Sequence, residues 1–376
     1  MASGFQGMAS RPYTAVMVVP TGVGAAIGGY AGDALPAARV VASVVDRLIT
    51  HPNVMNGAQL YWPLPNALYV EGFGLDQFAA GRWGLRPVHR NRVGLVLDAA
   101  IETELRGRHL QAAEATRATL GLDVLDYVIT DAPLGVTLRQ ADSGATWGTL
   151  EQPDSLLRAA EKAMAAGAEA MAVVARFPDD EDEADLETLQ NYRLGQGVDL
   201  VAGAEAVISH LVVRTFGVPC AHAPALSPLP LDSAVSPKAA AEEIGYTFLP
   251  CVLAGLSRAP QFVTRPGNAL SDHLPASYGQ SGDIWADQVD AILVPASACG
   301  GGAVLSLSRT KTLVIAVADN TTTLNVPLTA LGGHPVNVSS YLEAVGVIAA
   351  HRAGVHPQSL TAQVPHLSPL ADEVLP

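Results

Sequence analysis

The chain has 376 residues, 49% of them hydrophobic and 15% charged, with 35 Gly and 26 Pro; this is long enough for two domains and too apolar and charge-poor for a disordered chain. A formal charge of −14, from 22 Lys and Arg against 36 Asp and Glu, argues against a nucleic-acid partner, because phosphate recognition needs clustered cations. Three cysteines with no CxxC pair give neither a disulfide framework nor a zinc ribbon, so a reducing cytoplasm is the expected compartment.

The first ten residues read as a flexible leader. From Pro12 to Gly32 there is no charge for 21 residues, but five glycines and an internal proline break the run, so it reads as a buried strand and loop and not as a membrane span. Thr14 to Val19 is β-branched and predicts a strand. Val18 to Gly29 (VVPTGVGAAIGG) then carries Val-Pro into residues too small to cover their own backbone. Leu35 to Ile49 has helical spacing. Arg92 to Asp98 and Leu125 to Asp131 are strands that end at an acid, and the helix expected over Glu102 to Leu120 makes them a β-α-β unit with a parallel crossover.

Asp154 to Ala166 predicts a helix and Ala170 to Arg176 a strand. Seven carboxylates in nine residues follow, Asp179 to Glu187, and such a block of like charge reads as a solvated loop. Residues 203–216 and 236–243 have helical patterns. Ala291 to Pro295 and Thr312 to Asp319 are continuous apolar strands of the type buried on both faces. Between them Leu293 to Val304 (LVPASACGGGAV) repeats the Val-Pro-then-small pattern of the first loop. Ser339 to His351 predicts a closing amphipathic helix.

Ligands of open parallel sheets collect at the carboxyl ends of the strands, which turns the strand assignments into candidate sites. In the first loop Thr21, Gly22, Gly24, Gly28 and Gly29 leave amides bare for an anion, with Asp33 as a ligand contact or a helix cap. The spacing Gly22-x-Gly24-x-x-x-Gly28 is a variant dinucleotide fingerprint, so NAD(P) is an alternative, although no strand-plus-acid follows in residues 51–70 to hold the ribose. In the second loop Ser297, Gly300, Gly301 and Gly302 are binding candidates. Cys299 there is a candidate nucleophile, because a helix start lowers a thiol's pKa. Cys251 is its possible partner in a two-thiol isomerase. His222, between prolines, and Asp319 are further catalytic candidates. Asn320, Thr321 and Thr322 form a ligand-reading loop or a self-satisfied turn. Arg258 is a counter-ion candidate. No metal site is indicated, and no GxSxG, HExxH or P-loop motif is present.

The stretches Pro20 to Ala34 (PTGVGAAIGGYAGDA), Cys220 to Leu226 (CAHAPAL), Glu242 to Phe262 (EEIGYTFLPCVLAGLSRAPQF) and Ile315 to Val326 (IAVADNTTTLNV) together resemble a family of functionally uncharacterised proteins found mainly in cyanobacteria and plastids. The resemblance covers most of the chain and implies one shared architecture without an activity.

The expected fold is α/β, in two Rossmann-like lobes of mainly parallel sheet covered by helices: residues 11–178, an acidic linker at 179–198, and residues 199–376. The expected function is a cofactor-independent isomerase, lyase or hydrolase acting on a small anionic carboxylate or phosphate held between the two Gly-rich loops. The alternatives are a nucleotide-dependent oxidoreductase or transferase and a non-catalytic ligand-sensing or scaffold protein, and the expected partners are a small anionic substrate and further copies of the chain in a homo-oligomer.

Overall fold

A computed structural model describes residues 11–56, 60, 62–178, 183–227, 229, 231–244, 248–266, 274–276, 282–364 and 366–367. The leader and the first four residues of the acidic run, 179–182, lie outside them.

Two parallel sheets carry the fold. The larger has six strands in the order Val336–Val338, Leu313–Val317, Val289–Pro295, Thr14–Met17, Arg47–Thr50 and Ala67–Tyr69. The smaller has four, in the order Cys220–Ala225, Ala170–Arg176, Val93–Leu97 and Val124–Ile129. All neighbours in both sheets are parallel. The central strands are mainly apolar because helices cover both faces. Residues of the two sheets enter the same two apolar clusters. Met17, Leu48 and Ile49 are fully buried there, each side chain contributing roughly 1.5–3 kcal/mol. The arrangement is α/β and Rossmann-like, in two lobes.

The lobes do not follow the division expected at 179–198. Both ends of the chain build the six-stranded sheet, with Ala15 in register beside Ala291, and the middle builds the other. The charge break was read as a boundary, but residues 183–193 form a helix, Glu183–Arg193. A second correction concerns Leu35 to Ile49. The helix stops at Ala42, and Arg47–Thr50 is a strand between Thr14–Met17 and Ala67–Tyr69, so Leu48 and Ile49 are buried by sheet neighbours and not by a helical face.

The chain order of the larger sheet reverses between Thr14–Met17 and Val289–Pro295. That is a topological switch point, where the connections leave a crevice. Both Val-Pro loops emerge there.

Candidate functional site

A cleft of about 340 Å³ opens at this switch point. The larger sheet supplies Val18, Pro20 and Thr21 from the first loop, Gly301 and Gly302 from the second, and His51 and Glu71 beyond the next two strands. The facing wall is His222 of the smaller sheet with Glu205, Ser209 and His210 of the helix Ala202–Phe216, and Glu242 of the helix Pro237–Ile244 also reaches it. The two Gly-rich loops therefore share one cleft.

Several amides of the two loops are taken by the protein's own acceptors. In the first, the Ala26 N–H donates to the Thr321 carbonyl at 2.9 Å, that of Ile27 to Asn320 Oδ1 at 2.9 Å, and that of Gly28 to the Asp33 carboxylate. Asn320, wholly buried, also donates to the Ile27 carbonyl at 2.8 Å and to the Tyr341 hydroxyl at 2.9 Å. The polar segment after the Leu313–Val317 strand thus satisfies the first loop. Thr322 hydrogen-bonds Ser297 at 2.9 Å.

Gly22 and Gly28 hold φ of +71° and +95°. A Cβ on them would come within 2.7 Å of Thr146 and Val19 respectively, so they serve packing. Gly24 lies against Val198, Gly29 against the Ala25 carbonyl and Gly300 against Val326. In the second loop the Asp76 carboxylate takes the Ala303 N–H. One amide near each loop thus has a carboxylate of the protein itself as its acceptor. Asp33 is further neutralised by Lys238 at 2.9 Å.

The other expected residues also shift in role. Cys299 is completely buried, its Sγ near the carbonyls of Ala296 and Pro295 at 3.6 and 3.7 Å; burial pushes its thiol up, the reverse of activation. The helix it was expected to start runs only from Gly302 to Leu307. Cys251 is buried in the apolar helix Leu249–Leu256, and Asp319 is exposed; neither lines the cleft. Arg258 is exposed beside Arg90 and Asp123 on a separate groove. We therefore expect no thiol to react with iodoacetamide in the folded protein and three to react in denaturant; one fast thiol under native conditions would restore Cys299 as a nucleophile.

His222 does line the cleft, and its neighbours were not legible as a group. Its Nδ1 lies 3.2 Å from Ser209 Oγ and its Nε2 3.4 Å from Glu205 Oε2. His51 Nε2 accepts the Val19 N–H at 3.0 Å. Burial holds that ring's pKa down to about 4, so it is neutral with its proton on Nδ1. Glu71 caps the helix Gly72–Ala79 through the N–H groups of Phe73 and Gly74 and pairs with His210. Burial disfavours the charge on His210, but Glu71 and Asp76 raise its pKa on balance.

Glu242 Oε2 accepts the Tyr192 hydroxyl at 2.8 Å and the Ala31 N–H at 3.1 Å. Burial, with Glu205 and Asp33 nearby, pushes this carboxyl up to about 7. Asp199 is likewise raised well above the carboxylate range by burial and by Glu242 and Glu205. The acidic lining is thus Glu71, Asp76, Asp199, Glu205 and Glu242, with no Lys or Arg among the described residues. The strand beside Thr14–Met17 ends in Thr50-His51, without the acid a dinucleotide ribose needs.

No group of three or more His, Cys, Asp or Glu among the described residues is arranged to hold a metal. No described helix is long and apolar enough to cross a membrane. The chain is 59% identical over 354 residues to a Synechococcus sp. protein named as an uncharacterized lipoprotein, covering 94% of this chain and 95% of the relative. No solved structure matches. A family model described as a protein of unknown function (DUF3326) matches residues 14–361, and the chain belongs to that family.

Proposed function

We propose that the cleft is the active site of a cofactor-independent isomerase, lyase or hydrolase that works by proton transfer on a small polar metabolite. The observation that carries this reading is Glu242, a carboxyl that keeps its proton to about pH 7 in the same cleft as the Ser209–His222–Glu205 chain. A general acid is most effective with its pKa near the working pH, and a second group must accept a proton. Glu242 supplies the first role and the His222 chain the second.

The expected anionic substrate is not supported by this lining. A carboxylate or phosphate would meet no Lys or Arg among the described lining residues, and the ionised members of that acidic lining repel it where water is scarce. The reading therefore takes a neutral or cationic polar substrate. The test is thermal stabilisation by panels of matched size: polyols, neutral esters and amides, amines, carboxylates and phosphates. A bound ligand at 100 times its Kd adds about 2.7 kcal/mol to stability. Shifts confined to neutral or cationic members, and lost in Glu242→Ala, are expected; shifts confined to carboxylates or phosphates would reverse the assignment.

A further inference from the structure

We infer that Ser209 Oγ is the nucleophile of the cleft, and that the activity is acyl transfer from a small neutral ester or amide. The inference rests on the reading of the cleft as a proton-transfer site and names the atom at which that transfer surfaces. Glu205 and Ser209 stand one turn apart on one face of the helix Ala202–Phe216. That face packs on the strand Cys220–Ala225, whose His222 lies between them, 3.2 Å from Ser209 Oγ and 3.4 Å from Glu205 Oε2. Ser209 is almost wholly buried in the protein yet lines the cleft.

The proton positions follow from the inventory of donors. Nε2 and the Glu205 carboxylate stand at ion-pair distance, 3.4 Å; with the ring proton on Nε2, the bare Nδ1 accepts from the Ser209 hydroxyl at 3.2 Å. The Ala206 carbonyl, at 3.4 Å, is a longer alternative for that hydroxyl. Before acylation Nδ1 faces the Ser209 hydroxyl, so the first proton His222 takes is that of Ser209. A hydroxyl on a base whose other nitrogen faces a carboxylate follows the order of an activated serine. Here the two ring nitrogens exchange places relative to the chymotrypsin-type triad, without altering the order nucleophile, base, orienter. Val201, Leu226 and Phe248 give the same cleft an apolar wall for the acyl group.

In the acylation step the Oγ–C bond forms at the ester carbonyl and the Oγ proton passes to Nδ1. The C–O bond to the alcohol then breaks, and the leaving oxygen takes that proton. Water, deprotonated by Nδ1, reverses the sequence and releases the acid. A carboxylate product leaving an acidic cleft is expelled by the same charges that exclude carboxylate ligands.

The test uses a small neutral fluorophosphonate on the intact folded protein. Attack forms an Oγ–P bond, fluoride leaves with the P–F electron pair, and the proton goes to His222. One adduct per chain, mapped to Ser209, is expected, and His222→Gln should slow its formation at least about 100-fold, the usual share of a general base. Ser209→Cys keeps the hydroxyl's place with a thiol, and an iodoacetamide adduct at position 209 in a variant that melts like the wild type is expected. No adduct on the folded wild type, an adduct elsewhere, or a rate unchanged in His222→Gln would overturn the inference. The ligand panels do not depend on Ser209 attack. An unlabelled serine in a cleft that still binds neutral ligands would therefore remove this inference and leave the proton-transfer reading standing.

Discussion

Asp98→Ala should lower folding stability by about 4 kcal/mol, because three backbone N–H groups lose their acceptor. The side chain is completely buried at the end of the Val93–Leu97 strand. Its Oδ1 accepts the N–H groups of Ala100 and Leu134, both at 3.0 Å, and its Oδ2 that of Arg176 at 3.1 Å. One carboxylate thus ties the exits of two adjacent strands to the loop before the Val136–Gln140 hairpin strand. Alanine would leave three N–H groups buried without acceptors, each unsatisfied group costing roughly 1–3 kcal/mol before relaxation. Asp98→Asn keeps one acceptor oxygen but turns an amide donor toward another donor, so it should fall between the two. Urea titration with an unchanged m-value measures the loss. A cost under about 1 kcal/mol would mean that water or rearranged backbone takes over the three amides.

Glu242→Gln should stabilise the protein above pH 7 and leave it nearly unchanged below about pH 4.5. The folded carboxyl keeps its proton to about 7, against an ordinary value of 4.5, so between these the native state binds more protons than the unfolded chain, and stability falls as pH rises. What this group contributes is fully present below 4.5 and lost through 7; above that the buried charge costs at most about 3 kcal/mol, at 1.36 kcal/mol per pKa unit. The groups facing it are Glu205, Asp199 and Asp33, the last paired with Lys238; Asp199 is itself raised by burial and by Glu242, so the two carboxyls titrate as a pair. Gln keeps an oxygen for Ala31 and Tyr192 and carries no charge. Melting curves from pH 4 to 8 should show the gap opening between 4.5 and 7. A constant gap would mean that Glu242 ionises like a surface carboxylate and is no general acid.

Most of the parallel scaffold was legible because its strands are continuous apolar runs. Ala170–Arg176 appeared with its observed bounds. Ala67–Tyr69 and Gly84–Arg86 were missed, being three residues each and too short for a periodic signal. At the site, His222 and the sharing of one cleft by the two Val-Pro loops were readable from strand ends. The cover on the loop amides was not, because bare amides in a sequence say nothing about which distant side chain will cover them. Asn320 reaches Ile27 across 293 positions. Glu205, Ser209 and Glu242 escaped notice for the converse reason: each is an ordinary helix residue until the fold sets it against His222 or Tyr192. The i, i+4 spacing of Glu205 and Ser209 was visible, but it acquires chemical meaning only with the strand that packs on it.

The place of Thr14–Met17 in the middle of the larger sheet has a consequence at the ribosome. Its partner on one side, Arg47–Thr50, is made almost at once, but Thr14 pairs on the other side with Val289. At elongation rates of roughly 5–20 residues per second, that edge stays open for on the order of 15–55 s. Throughout this interval a nascent chain carries an apolar strand with one row of amides and carbonyls unanswered, the kind of edge that pairs with other chains. The smaller sheet can close meanwhile, since its strands lie between residues 93 and 225. Synthesis therefore hands over a finished smaller sheet beside an unfinished larger one, and the burden of chaperoning falls on the strand Thr14–Met17.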